Sequence, residues 1–375
     1  MDDGRVLFGA ADHINGTARA RITKGIGAPG DVLLSHKGTV GKVALAPDDA
    51  PAFVCSPQTT FWRTCDQERL DRRYLYAFMR SPGFHQQLAS RAGETDMAPY
   101  VSLTAQRGLR VDLPPIDVQR SIGRILGALD DKIEVNRGMS EALEAMARSH
   151  YFARIQSPEA TSWPIRQIAD VATLTKGVSY RSADLIDGGD TALVTLKSVR
   201  RGGGYQPDGL KPYVGAYKPQ QEVNSGDIVV AQTDVTQAAE VIGRPARVAV
   251  QPSFRHLVAS LDLMVVRPST ARISREFIYL LLADDDFHDF AVSYTNGTTV
   301  LHLDVSSLPT YPFRLPPPSE VRSLTRFVGP LFARMDVANS ETRTLASIRE
   351  TLLPRLTSGE LRIPRAGRLL AVAPT

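Results

Sequence analysis

Two periods of apolar and polar residues divide this chain. Between Leu113 and Ile155 a heptad repeat places Ile122, Leu129, Asn136, Leu143 and His150 at one position. Ile125, Leu126, Ile133, Met139 and Met146 are expected on the same face, with Asp130, Asp131, Lys132, Glu134 and Arg137 mostly on the wet side. The pattern predicts one long helix opening on Pro114-Pro115, where proline pre-sets a first helical turn. About 40 helical residues make a rod of roughly 60 Å, whose apolar stripe cannot be buried without a partner.

A second stretch, Leu315 to Leu356, supplies that partner. Leu324, Val328, Leu331, Met335, Ala338, Thr342, Leu345, Arg349, Leu352 and Leu356 step by alternating fours and threes. One such stripe is ordinary core. Two, each introduced by Leu-Pro-Pro and about 200 residues apart, imply an internal duplication. Asn136, Thr342 and Arg349 interrupt the seam with polar groups that either fix register or lie at its solvated edge. Gly329-Pro330 is expected to kink the second helix or mark a joint.

The other period is that of strands. In residues 1–112, Gly30-Asp31 turns into a buried strand Val32–Ser35, His36-Lys37-Gly38-Thr39 reverses the chain, and Gly41–Leu45 returns. Thr59–Trp62 reads as a further strand. Arg69–Arg80 reads as an amphipathic helix stopped by Ser81-Pro82-Gly83, with a short helix over Phe84–Ser90. Residues 159–314 repeat the plan. Gly226-Asp227-Ile228-Val229-Val230 matches Gly30-Asp31-Val32-Leu33-Leu34, and Phe277–Leu282 matches Tyr74–Met79. Thr191–Val199 is strand-like and ends in Arg200-Arg201-Gly202-Gly203-Gly204. The segments are therefore 1–112 and 159–314 as two mixed units, 113–158 and 315–362 as two long helices, and 363–375 as a tail. The halves are unequal, since nothing in the first corresponds to Trp163 through about Leu193. Either the first unit is trimmed, or the start of the chain is set late, or another segment completes the unit in space.

Composition narrows the class. The 375 residues are 43% hydrophobic and 22% charged, as in a globular protein of two or more domains. No apolar run approaches the ~18 residues of a membrane span, and Met1-Asp2-Asp3 begins no signal peptide, so a cytoplasmic location is expected. Cys55 and Cys65 are expected to be reduced thiols. A net charge of +4 and a pI near 9.1 tolerate a polyanionic partner without requiring one.

Catalytic arrangements are near misses. His36-Lys37-Gly38-Thr39-Val40-Gly41-Lys42-Val43 lacks the first Gly and the last Ser or Thr of a phosphate loop. Asp112-Leu113-Pro114-Pro115-Ile116 has an extra Leu and no aromatic where amino-methyltransferases carry Asp/Asn-Pro-Pro-aromatic. The seven histidines show no metal spacing, neither Cys lies in a Cys-x-x-Cys pair, and Asp284-Asp285-Asp286 reads as a solvated helix end. No catalytic residue and no bound metal are expected.

What remains is binding. Candidate DNA contacts are basic and amide residues on loops: Lys37, Lys42, Gln58 and Arg91 in the first unit, and Lys176, Arg181, Lys197, Arg200, Arg201, Gln232 and Asn296 in the second. Arg and Lys pair with phosphates or guanine, Asn and Gln with adenine. Taken singly, each is more simply a solvated side chain; two such units, each followed by a long helix, carry the argument.

The chain resembles the specificity subunits of Type I restriction-modification systems. The resemblance lies in Leu113-Pro114-Pro115-Ile116-Asp117-Val118-Gln119, in Leu129-Asp130-Asp131-Lys132-Ile133-Glu134-Val135-Asn136 and in Leu352-Leu353-Pro354-Arg355-Leu356-Thr357-Ser358-Gly359-Glu360-Leu361, with the Gly-Asp strand in each half. It covers essentially the whole chain. One departure is Ser319-Glu320-Val321-Arg322, where the family has Glu-Gln. The resemblance implies an α+β fold: two tandem target recognition domains, each followed by a long helix, the helices packed as an antiparallel coiled coil with pseudo-two-fold symmetry. It implies a non-catalytic chain that reads a bipartite, asymmetric site in double-stranded DNA. The seam residues Ile122, Leu129, Ile133, Asn136, Leu143, Leu324, Leu331, Met335, Leu345 and Leu352 would then form the spacer and dock partners. Those partners are two methyltransferase subunits carrying S-adenosylmethionine, joined in restricting complexes by a restriction subunit using ATP and Mg²⁺. Two alternatives are a scaffold that keeps the helices but reads no DNA, and a fused restriction–methylation enzyme, which would need catalytic motifs that the chain lacks.

Overall fold

The computed structural model describes residues 1, 4–92, 99–236, 238–249 and 253–363. The chain forms two compact units, one from Met1–Val135 with Glu341–Thr375 and one from Asn136–Ser340. Of the tail expected over 363–375, all but Ile363 lies outside the described residues.

In chain order the first unit contains α1 (Gly16–Arg21), β1 (Ile26–Gly27), β2 (Val32–Ser35), β3 (Val43–Leu45), β4 (Phe53–Val54), β5 (Thr59–Trp62), α2 (Arg72–Met79), α3 (Pro82–Ala89), α4 (Leu103–Arg107) and the start of α5 (Ile116–Ile155). The central strand β2 pairs antiparallel with both β3 and β5, and β1 pairs with β4. Because β2 is buried along its whole length, its sequence is a continuous apolar run rather than an alternation. The helix expected over Arg69–Arg80 begins later, because Asp71 caps it by accepting from the Tyr74 amide. Ser81 caps α3 in the same way, with proline in its first turn. Tyr74, Phe78, Phe84 and Leu88 pack on Val32 and Leu34, and Ile122, Leu126 and Leu356 of the long helices close this core.

The second unit contains β6 (Ile165–Gln167), β7 (Ala172–Lys176), β8 (Thr191–Val194), β9 (Lys211–Pro212), β10 (Ile228–Ala231), β11 (Thr233–Asp234), β12 (Pro245–Arg247), β13 (His256–Ala259), β14 (Leu263–Pro268), α6 (Arg275–Leu282), α7 (Asp285–Ser293), β15 (Thr295–Asn296), β16 (Leu301–Leu303), β17 (Pro312–Arg314) and part of α8 (Pro318–Thr357). Its main sheet is antiparallel in the order β12-β10-β14-β7. A second sheet, β13-β8-β9, joins β13 and β8 in parallel, and a ribbon runs β11-β16-β15. The strand expected over Thr191–Val199 stops at Val194, where the chain tightens into a 3-10 turn over Leu196–Ser198.

Each long helix has 40 residues, and within each unit they run antiparallel. In the second unit Ser140 Oγ donates to Asn339 Oδ1 at 3.3 Å, His150 stacks on Phe327 at 3.9 Å, and Arg154 lies 3.6 Å from Glu320. Rising numbers on one helix meet falling numbers on the other. In the first unit Lys132 lies 3.4 Å from Glu341, and Arg349 donates to Asp130 at 2.7 Å. The seam residues Ile122, Ile133, Asn136, Leu324 and Met335 are buried, and Leu129, Leu143, Leu331, Leu345 and Leu352 are half-buried. Asn136 and Arg349 lie inside the seam rather than at its solvated edge. Two expectations are corrected. Ile125 and Met146 are exposed rather than on the seam, because the buried phase runs through Ile122, Leu126, Ile133, Ala147 and Tyr151. The α8 helix also continues unbroken through Gly329-Pro330, with the fully buried Val328 and Phe332 anchoring the turns on either side.

Candidate nucleic-acid interface

The same frame is built once in each unit. A glycine in the left-handed region, Gly30 (φ 80°) or Gly226 (φ 84°), turns the chain into the central strand, where a side chain would be strained. A buried aspartate follows. Asp31 accepts from the Ala28 amide at 2.8 Å and from Arg63 through both Nε and Nη2 at 2.7 Å. Asp227 accepts from the Asn224 amide at 3.1 Å and from Arg267 Nη2 at 2.8 Å. The main chain repeats as well: the Ala46 amide donates to Asp31 O at 2.9 Å and the Val248 amide to Asp227 O at 2.8 Å. Charge-assisted hydrogen bonds of this kind fix a loop entrance in orientation as well as in energy.

The other end of the central strand is equally matched. The Val101 amide donates to His36 O at 2.9 Å, and the Leu303 amide to Gln232 O at 2.9 Å. The His36 amide donates to Gln58 O at 2.9 Å, and the Gln232 amide to Asp262 O at 2.8 Å. Lys37 then bridges to Tyr100, as Thr233 pairs with His302. These bonds build a rim at the carboxyl end of each central strand.

In the second unit several strands end around the 260–263 turn. The Gly177 amide donates to Leu263 O, the Val178 amide to Ala259 O and the Ser260 amide to Val194 O. Lys176 at the end of β7 and Lys197 just after β8 therefore flank the rim, both exposed. Asn296 is exposed on the ribbon, paired with His302. Gly297 (φ 109°) makes that hairpin possible, since a Cβ there would meet Val300 O at 2.2 Å. Asp234 organises the loop behind it. Burial pushes its carboxyl up, but donors from Thr236, Val241 and Ile242 outweigh that and hold it below the usual range. Arg181 and Arg200 are exposed on neighbouring loops, and Arg201 is paired with Glu240 at 3.2 Å.

Lys37, next to His36, and Gln58, whose carbonyl takes the His36 amide, are both exposed on the first unit's rim. Lys42 is exposed just before β3, the return strand. Two candidates lie off the rim surface. Gln232 is only 4% exposed, although its backbone forms part of the rim. Arg91 donates to Gln87 O and Gly108 O, tying α3 to the α4 end instead of standing on the rim. Sequence reasoning missed Tyr100 and His302, the exposed partners across the rim; the repeat of Tyr100-Val101 as His302-Leu303 is the signal that could have found them.

Each unit also leaves apolar side chains in water at matching helix positions. Ile125 and Val135 stand tenth and twentieth along α5, as Phe327 and Val337 do along α8, and Met146 and Ile348 are both thirty-first. At about 100° per residue the three positions fall within a sector of about 80°. That sector relates residues of one helix; by unit, Ile125, Val135 and Ile348 are exposed in the first, and Phe327, Val337 and Met146 in the second.

Among the described residues no group of His, Cys, Asp and Glu is placed to hold a metal ion, and no helix is long and apolar enough to cross a membrane. Cys55 and Cys65 are free thiols, the former pushed up to about 11 by burial.

Residues 16–145 match the family described as the Type I restriction modification DNA specificity domain. The chain is 21% identical over 356 residues to the Type I restriction enzyme MjaIX specificity subunit of Methanocaldococcus jannaschii, covering 89% of this chain and 78% of that protein. Among solved structures it is similar to the Type-I restriction-modification S subunit from M. genitalium, with a TM-score of 0.53 at 15% identity over 88% of this chain and 83% of that one. The HsdS subunit from Thermoanaerobacter tengcongensis gives a TM-score of 0.34 at 18% identity, over 91% and 85%.

Proposed function

We propose, with residues 16–145 belonging to the Type I restriction modification DNA specificity domain family, that the whole chain is the DNA-sequence-recognition subunit of a Type I restriction-modification complex. The observation that carries this reading is the rim built twice on one frame, bond for bond, with different side chains on each copy. A repeated frame with unlike rims suits a bipartite site whose two halves differ. In this reading exposed Lys37, Lys176, Lys197, Arg181 and Arg200 supply phosphate contacts that position the duplex, and exposed Gln58, Asn296, Tyr100 and His302 read base edges. Gln232 acts behind the rim, holding its shape.

In this reading the chain transfers no methyl group and cuts no DNA. S-adenosylmethionine, ATP and Mg²⁺ belong to methyltransferase and restriction subunits, and the assembly works in the cytoplasm. The register-matched apolar positions support one methyltransferase copy on each unit, two in all, because Val135 (63% exposed) and Val337 (56%) stay solvated among the described residues.

Sequencing of methyladenine in host DNA, with and without this chain beside its methyltransferase subunit, tests the reading. Loss of one split, asymmetric motif is expected when the chain is removed. An unchanged methylation pattern would overturn it. A half-length or continuous motif would mean that the first unit, which has fewer strands than the second among the described residues, reads nothing.

A further inference from the structure

One large apolar side chain stands beside the second unit's rim. Val235 follows directly on β11 and is 67% exposed. The loop that carries it is pinned from within. The Asp234 carboxylate, itself fully buried, accepts from the Thr236 and Val241 amides at 2.6 Å each and from the Ile242 amide at 2.9 Å. The Thr236 hydroxyl takes the Glu240 amide at 3.0 Å, and Glu240 O takes the Gly202 amide at 2.8 Å. Ala239 sits at φ 52°, a left-handed conformation that is strained for a residue with a side chain.

This loop is an addition to the shared frame. The Gly41 amide donates to Ser35 O and the Gly243 amide to Ala231 O, both at 2.9 Å, so the two glycines correspond. Lys37 corresponds to Thr233 on the rim. Between rim and glycine the first unit has residues 38–40 and the second residues 234–242. The longer segment ends up ordered by one carboxylate.

Val235 also extends a row of candidate base readers. Thr233 on β11 pairs with His302 on β16, and His302 pairs with Asn296 on β15. Directly paired residues share a face, and alternate residues along a strand return to it. Val235 therefore falls on the side of His302 and Asn296, while Asp234 and Leu303 are buried on the other. The β15–β16 hairpin is a two-stranded ribbon, which a major groove admits. There an A·T pair shows an adenine N6/N7 edge, which an Asn amide matches, and beside it the thymine C5-methyl, which takes an apolar contact. The row offers an amide and an apolar group on one face.

We infer that Val235 is a specificity-determining residue: the second unit's half-site holds a thymine whose C5-methyl packs on the Val235 side chain in the major groove. The inference rests on the DNA-recognition reading above and adds to it one base and one contact. A loop ordered before DNA arrives loses little conformational freedom on binding, so covering the methyl is not offset by ordering the valine. The contact separates thymine from cytosine, which carries no methyl at that carbon.

The test uses the full chain with its methyltransferase subunit and a duplex carrying the motif found by methyladenine sequencing. Each thymine is replaced in turn by uracil, which removes the methyl and keeps the base-pairing groups. One thymine is expected whose replacement weakens binding roughly fourfold, the effect of leaving one methyl uncovered. In Val235→Ala that difference should disappear; the site is exposed, so folding is retained. Indifference to uracil at every thymine, or an undiminished difference in Val235→Ala, would overturn the contact and leave DNA recognition standing. Binding with no preference for the motif over an unrelated duplex would overturn both. Loss of a methyltransferase copy from the Val235→Ala complex in native mass spectrometry would assign the valine to that interface, and the thymine contact would fall.

Discussion

Among the described residues the first unit holds its rim with three strands in its main sheet, the second with four. In the second, β14 pairs with both β10 and β7; in the first, β5 has the place of β14, and β2 is its described ladder partner. The antiparallel pair Ile26–Val54 of β1 and β4 stands where Glu222 bridges Val258 in the second unit, and the parallel pair of β8 and β13 has no counterpart among the first unit's described residues. Yet the bonds at the rim are the same in both. The difference separates two jobs within one unit. The Gly-Asp turn, its arginine and the central strand set the rim, while the outer strands add burial. A buried carboxylate with a bidentate guanidinium and an amide donor is a geometry that does not need a fourth strand to define it.

The strongest way to break this comparison is to empty each core at the same place. Phe84→Ala and Phe287→Ala remove equivalent, fully buried rings. Each should cost about 3–5 kcal/mol, read as hydrogen-exchange protection lost within its own unit. A loss spread over both units would contradict two separate cores. Next in size, Asp31→Ala and Asp227→Ala should each cost on the order of 2–3 kcal/mol, since each strands an arginine and an amide donor. Urea unfolding would measure both. Similar losses support one shared frame; a negligible loss at Asp227 would show that the extra strands, not the aspartate, hold the second rim.

Acid should act through the histidines behind the hairpins. Partial burial first, then Arg244, lowers His288, with Ile242 O, Asp289 and Asp285 pulling the other way; partial desolvation lowers His85. A folded value below the ordinary 6.5 means that the unfolded chain takes the proton first. That share of stability is complete above about pH 6.5 and declines as pH falls through that value toward the folded one. Denaturation midpoints between about pH 7 and about pH 5.5 should fall less in His288→Gln than in the parent chain. An identical slope would remove His288 from the account. The smallest effect on folding is expected at the solvated triplets. Val135→Lys and Val337→Lys should change stability by less than about 0.5 kcal/mol. In native mass spectrometry with the methyltransferase subunit, each should cost one partner copy. Loss of both copies from either change would show that the triplets are not independent docking surfaces.

Much of the frame is legible in the sequence. The Leu-Pro-Pro starts, the paired heptads and the two Gly-Asp strands lie in short local patterns, where periodicity and turn chemistry act over a few residues. The strand ladders of β2 and β10 follow from continuous apolar runs that only burial on both faces explains. The DNA candidates are less readable. Lys37 and Asn296 stand on rims, but Gln232 is enclosed and Arg91 is spent on carbonyls. A loop assignment says that a side chain is near the surface, not which way strand pairing turns it.

The order of residues alone dictates the duplication: two frames, two forty-residue helices and the heptad phase that pairs them. Those follow from repeating local signals and from the fact that a one-sided helix must find a second one. Which polar groups face water is settled only in the folded chain. Folding puts Asn136 and Arg349 inside the seam and leaves Ile125 and Met146 outside it. Each of these depends on atoms brought together from distant parts of the chain, where burial and charge pairing are fixed by neighbours that no local pattern names.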